Sequence, residues 1–312
     1  MTRTTRIGRA LSLLLAAAVL VAGLAGCGAS SAEEDAGETP SAAFPVTVTD
    51  DAGRQVTVSA EPQRIVSLAP ANTEIIYGLG LLDRLVGVTT FDDYPVEVAD
   101  IEKVGDFITP NLEAIAALEP DLVLATTGVQ ADVIERIEAT GATVVAVDPQ
   151  TLDELLDSIE MVGAVTGVPE AAADVVESME IQIEDIAEQV EGAPVRCFIE
   201  IAQDPLFTAG QGTLLNDLIE HAGGENVVTQ EGYVGYSLEQ LLSDDPAVYL
   251  ATLGSMSDPA DLAGRPGYGA LTAVKEGRVY VLEDNLVSRP GPRVVEGIRQ
   301  IAAALHPDVF EE

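Results

Sequence analysis

Between Arg64 and Thr166 short apolar runs alternate with stretches in which apolar residues recur every three or four positions. The first pattern marks buried strands and the second amphipathic helices. Strands are expected at Ile65 to Leu68, Leu85 to Val88, Leu122 to Ala125 and Thr143 to Val147. Helices are expected near Thr73 to Leu79, Leu112 to Leu118, Asp132 to Thr140 and Leu152 to Thr166. Upstream, Val46, Val48, Val56 and Val58 alternate with Thr or Gln about Asp50-Asp51-Ala52-Gly53, which predicts a hairpin. Residues 46–168 therefore read as an α/β lobe.

The longest helical signal follows. Pro169 stands where a first helical residue would, and Ala172, Val175, Val176, Met179, Ile183, Ile186, Ala187 and Val190 hold one face until Gly192 and Pro194 end the pattern. About 22 residues at a rise of roughly 1.5 Å span on the order of 33 Å, enough to cross from one lobe to another. Residues 193–312 then repeat the α/β rhythm. Strands are expected near Val195 to Ile201, Ala247 to Ala251 and Arg278 to Leu282, with helices near Leu214 to Ala222, Leu238 to Leu242 and Val294 to Leu305. The fold class is thus α/β, with two lobes bridged by the single helix 169–192.

An internal repeat supports matched lobes. Asn111 to Thr126 (NLEAIAALEPDLVLAT) aligns without a gap on Ser237 to Thr252 (SLEQLLSDDPAVYLAT), 126 residues later, with six identities. Each copy reads as N-cap, short helix, Pro and buried strand. Glu113 and Glu239 fall in the first helical turn of their copies, where the helix dipole favours a carboxylate.

The start of the chain has another character. Arg3, Arg6 and Arg9 precede an apolar run from Leu11 to Ala25, too short for a secure membrane span but right for an export leader over residues 1–26. The run ends Leu24-Ala25-Gly26-Cys27, which resembles the lipobox of bacterial lipoproteins, and that resemblance makes Cys27 the lipid-bearing N-terminus of the mature protein. The protein is accordingly expected on the outer face of the cytoplasmic membrane. Residues 27–45, rich in Ser, Ala, Gly and acids, are expected to be a flexible tether. Cys197 then has no intramolecular partner, and it reads as a buried strand thiol.

Charge narrows the function. The chain of 312 residues carries 52 Asp plus Glu against 15 Lys plus Arg, a net charge of −37, and loss of the three leader Arg takes it to −40. Phosphate neutralisation needs clustered cations, so nucleic acid is not an expected partner. Such an acidic surface, with Lys103 and Lys275 its only lysines, suggests adaptation to high salt. Only His221 and His306 could join carboxylates around a free transition metal, too few for a dedicated metal site, so any metal should arrive already chelated. No P-loop and no GxSxG elbow occurs, and no catalytic residue or cofactor is assigned.

Behind a lipobox and tether, two α/β lobes on one helix resemble the helical-backbone class of solute-binding proteins that feed ABC importers, the cobalamin, ferric siderophore and haem receptors. The stretches that carry the likeness include PQRIVSLAPANTEIIYGLG (Pro62 to Gly80), VGVTTFDDYP (Val86 to Pro95), KVGDF (Lys103 to Phe107) and NLEAIAALEPDLVL (Asn111 to Leu124). In the second lobe they include TAGQGTLLNDLIEHAGGENV (Thr208 to Val227), LTAVKEGRVY (Leu271 to Tyr280) and SRPGPRVVEGIRQIAAALHP (Ser288 to Pro307).

The resemblance implies that Glu113 and Glu239 dock onto Arg pockets of a permease dimer. The helix dipole accounts for each Glu separately but not for their pairing, whereas two equivalent carboxylates suit a two-fold symmetric partner. A cleft between such lobes should draw on loops at strand ends. The candidates are Tyr94, Phe107, Tyr233, Tyr236 and Arg289, rings to lie on a flat macrocycle or chelate and a guanidinium for anionic groups. The expected protein is a monomeric receptor that passes a metal chelate to the permease, a corrinoid ahead of a ferric siderophore and haem third. The alternative is an extracytoplasmic sensor or structural lipoprotein on the same fold.

Overall fold

The computed structural model describes residues 44–190, 192–256 and 258–310. The leader, Cys27 and all but the last two residues of the expected tether lie outside the described residues.

The described chain begins with β1 (Val46–Thr49) and β2 (Gln55–Val58), an antiparallel hairpin. Its turn is held by Asp50, which accepts the Arg54 amide at 2.9 Å and pairs with the Arg54 guanidinium at 2.6 Å. Next come β3 (Ile65–Ser67), α1 (Pro70–Gly78), β4 (Leu85–Val88), β5 (Glu102–Lys103), α2 (Leu112–Ala117), β6 (Leu122–Ala125), α3 (Ala131–Glu138) and β7 (Thr143–Ala146). The strands form one parallel sheet in the order β5-β4-β3-β6-β7.

Two helices leave this lobe, α4 (Leu152–Thr166) and α5 (Pro169–Gln189). Thr151 caps α4 by accepting the Glu154 amide, and Gly167, at φ 84°, closes it in the left-handed conformation that glycine adopts without strain. Close packing of α4 on α5 needs Gly163, where an added Cβ would lie 2.3 Å from that of Ala172. At 21 residues α5 is the longest helix described, and it ends at Gln189, a little before the expected 192.

The second lobe contains β8 (Val195–Glu200), β9 (Ala202–Gln203), β10 (Leu206–Ala209), α6 (Leu214–His221), β11 (Gly224–Asn226), β12 (Tyr233–Gly235), α7 (Leu238–Asp244), β13 (Val248–Thr252), α8 (Ala260–Gly264), α9 (Thr272–Lys275), β14 (Val279–Leu282), α10 (Asp284–Val287), α11 (Val294–Leu305) and α12 (Pro307–Phe310). Its parallel sheet runs β11-β8-β13-β14, the same winding as β4-β3-β6-β7 in the first lobe. Three short strands in the order β12-β10-β9 form an additional antiparallel sheet.

The sequence repeat is also a repeat of backbone. Asn111 caps α2 and Ser237 caps α7, and each helix leads into a strand buried along its whole length, β6 and β13. In both copies the residue before the proline is left-handed, Glu119 at φ 46° and Asp245 at φ 41°. Non-glycine residues seldom adopt that region, so its recurrence 126 positions apart marks one structural unit used twice.

The core is shared. A single apolar cluster contains Ile65, Leu122 and Val145 of the first sheet, Met179 and Ile183 of α5, and Ile199 and Leu250 of the second. Parting the lobes widely would expose that surface at about 25 cal/mol per Å², which favours small relative motion. The Leu152 amide also donates to Asp217 of α6 at 2.9 Å, tying the start of α4 to the second lobe. Cys197 is buried on β8, and burial pushes its thiol up to about 12, consistent with an inert packing role.

Candidate functional site

In a parallel α/β sheet the loops that follow the strands gather at the carboxyl edge, and a crevice opens where the winding reverses. Here the reversal lies between β3 and β6. Ala69 to Asn72 follow β3, Phe91 follows β4, Thr126 follows β6, and Val147 to Gln150 follow β7; all line one cavity of about 500 Å³. Phe107 and Ile108 join them from the loop before α2. The second lobe supplies Leu214 at the start of α6, Tyr233 on β12, and Ser288 to Pro290 between α10 and α11.

Local chemistry sets these loops. Asp92 Oδ2 accepts from the Thr89 amide at 2.9 Å and from the Thr89 hydroxyl, and the Phe91 amide donates to Thr89 Oγ1 at 3.2 Å. This turn buries Asp92, whose carboxyl is pushed up by burial, and leaves Phe91 57% exposed at the cavity. Gln130, fully buried, joins three walls at once. Its Nε2 donates to the carbonyls of Leu68 at 2.7 Å and Phe107 at 2.8 Å, and its Oε1 accepts the Thr126 amide at 2.9 Å.

Three of the five residues expected at the ligand, Phe107, Tyr233 and Arg289, line the cavity. Tyr94 and Tyr236 do not. The Tyr94 ring meets Tyr77 edge-on at 5.6 Å and lies under the Arg293 guanidinium at 3.9 Å, supporting the contact between lobes. Tyr236 is in the second-lobe core beside Phe198, with its hydroxyl donating to Asp244. Residue type and loop position alone do not reveal which ring points outward. Phe91, Asn72 and Gln130 were missed by sequence reasoning, although Phe91 sits in the same FDDYP stretch as Tyr94.

A charge cluster lies beside the cavity. Glu74 of α1, buried, accepts from Arg293 Nε at 2.9 Å, from Arg293 Nη2 at 2.6 Å and from Arg289 Nη1 at 3.3 Å. Arg289 also donates to Asp93 at 2.5 Å, and Asn285 donates to Asp93 at 3.0 Å. Burial works to raise the Asp93 carboxyl, but the hydrogen bond and charge of Arg289 prevail and hold it below its ordinary value. The Arg293 guanidinium is raised, chiefly by its hydrogen bond to Glu74. Burial raises the Tyr233 hydroxyl, which stays a neutral donor at the cavity.

Glu113 and Glu239 are exposed, each two residues after its helix cap, and neither has an ion-pair partner among the described residues. Helices that return antiparallel to the strands begin at the carboxyl edge, the edge that also carries the cavity loops. Among the described residues no group of three or more His, Cys, Asp or Glu side chains is arranged to hold a metal ion.

Known proteins share this architecture. The "Periplasmic binding protein" family model matches residues 65–286. An uncharacterized ABC transporter substrate-binding lipoprotein of Bacillus subtilis is 38% identical over 98% of this chain and 99% of its own length. The vitamin B12-binding protein of Vibrio cholerae is 30% identical over 78% of this chain and 89% of its own. A crystal structure of a possible iron-binding, periplasmic solute-binding protein from Staphylococcus epidermidis superposes with a TM-score of 0.73 at 31% identity, covering 79% of this chain and all of that one. With the matched stretch running from the first strand of one sheet past the last strand of the other, the chain belongs to the periplasmic binding protein family.

Proposed function

We propose that the protein is the extracytoplasmic receptor of an ABC importer, capturing a metal chelate between its lobes and passing it to the permease. The ligand is a cobalamin-type corrinoid ahead of a ferric siderophore. The observation that carries this reading is the cavity itself: about 500 Å³, set at the strand ends of one lobe, closed by the other, and edged by Phe91, Ile108 and Tyr233, each close to half exposed or more. Exposed apolar groups gathered around a concavity mark a place where another apolar surface belongs. Likenesses to a vitamin B12-binding protein and to a possible iron-binding protein support a ligand of this class.

In this reading binding energy and modest lobe closure are the whole mechanism. Glu113 and Glu239 dock on the permease dimer, and Cys27 anchors the chain to the outer face of the membrane. The test is to incubate the purified protein with cyanocobalamin, a ferric siderophore or haemin and follow visible absorbance through gel filtration. Coloured ligand is expected to travel with the protein; separation of all three from it refutes the proposal. Replacing both Glu113 and Glu239 by Ala should abolish uptake while chelate still co-elutes, and normal uptake removes the docking role.

A further inference from the structure

Of the described residues that line the cavity, only Asp148 and Arg289 carry charge. Arg289 is already neutralised, by Asp93 at 2.5 Å and Glu74 at 3.3 Å, and Arg293 satisfies the rest of Glu74. These four side chains sum to zero. Asp148 has no ion-pair partner among the described residues; its Oδ2 only accepts from the Thr127 amide and hydroxyl. A second chamber that shares Asp148 and Gln150 adds Asp51 and Glu154 and has no cationic side chain among the described residues. The chain as a whole stands at −37. What remains to hold a ligand is uncharged, notably Asn72, whose buried Nδ2 has no hydrogen-bond partner among the described residues. An Asn amide turns easily about its last torsion, so a carbonyl oxygen on the ligand can satisfy that donor.

Resting on the receptor reading above, we infer that the cavity selects by charge: it admits neutral or cationic chelates and rejects anionic ones, with Asp148 and the neutralised Arg289 as the determinants. An anionic chelate would face an unpaired carboxylate, and the nearest guanidinium would have to abandon Asp93 to meet it. Juxtaposed like charges suppress binding of the wrong partner.

The test is equilibrium titration with cyanocobalamin, which is neutral, a ferric trihydroxamate of single positive charge and a ferric tris-catecholate of triple negative charge, at low and at molar KCl. The tris-catecholate is expected to bind at least about 100-fold more weakly than the better of the other two, and to remain weaker in molar salt, because a ligand filling the cavity excludes screening ions from between its charges and Asp148. Asp93→Asn releases Arg289 and should raise tris-catecholate affinity roughly tenfold; Asp148→Asn, which removes the unpaired charge, should act in the same direction. Tris-catecholate affinity within tenfold of the others in the native protein overturns the inference, and no gain in either variant overturns the assignment of its determinants. Binding of none of the three overturns instead the receptor reading on which it rests.

Discussion

Gln130 joins the wall after β3, the wall after β6 and the Phe107 loop, and its replacement by Met tests whether the cavity is built as a unit. Met keeps the length of the side chain and removes every hydrogen bond. Three bonds of 2.7, 2.8 and 2.9 Å vanish, leaving the Leu68 carbonyl and Thr126 amide buried without a partner and the Phe107 carbonyl without one at the cavity edge. Net contributions near 1 kcal/mol per bond give a loss of about 3 kcal/mol, to which the stranded buried groups add. Urea unfolding reads the total. Hydrogen exchange at the Thr126 amide reads the local part, which should accelerate relative to strands away from the cavity, and chelate affinity should fall as the Phe107 loop loosens. Gln130→Glu is a second perturbation: the acid keeps an acceptor for Thr126 but brings a carboxylate against two carbonyls. Its folded-state pKa must rise, so this variant should recover stability as pH falls, when the protonated acid can donate to one carbonyl. A change under about 1 kcal/mol for Gln130→Met, with Thr126 exchange unaltered, would refute the reasoning.

Glu74→Gln leaves Arg293 and Arg289 without their buried carboxylate and should destabilise by about 3 kcal/mol in thermal or urea unfolding; an unchanged midpoint would show that the cluster does not hold the lobes. Asp93 has a depressed carboxyl, so its stabilising contribution is present above the ordinary value of 3.8 and is lost as pH falls through its lower folded value. Asp93→Asn should therefore flatten the acid limb of the stability profile below about pH 4, and superimposable acid limbs would rule out the ion pair as a contributor. Gly163→Ala puts a methyl 2.3 Å from that of Ala172 and should cost about 1 to 3 kcal/mol by prying α4 from α5, an effect visible as a lowered Tm.

Local patterning was sufficient wherever one residue type meets one environment. The helices Leu152–Thr166 and Val294–Leu305 and the strands Leu85–Val88 and Leu122–Ala125 lie where hydrophobic periodicity and capping residues place them. The repeat and the long helix Pro169–Gln189 were equally legible, because cap, Pro and apolar stripe stand at helical spacings. The small β12-β10-β9 sheet was not. Its strands are two to four residues long, and their pairing joins Ala209 to Tyr233 across a loop that contains α6 and β11.

The site divides along the same line. That Phe107, Tyr233 and Arg289 come to one cavity followed from loops at strand ends, since topology carries those loops to one edge. Which ring of FDDYP faces outward did not follow, because the Thr89 to Asp92 hydrogen bonds turn Phe91 to the cavity while Arg293, from the far end of the chain, claims Tyr94. Glu74 and Arg293 are 219 residues apart, and Gln130 bonds to a carbonyl 62 positions away. Amphipathic spacing determines what a segment becomes; the charge of the cavity and the partner of each buried polar group are decided only when distant segments share a volume from which water is excluded.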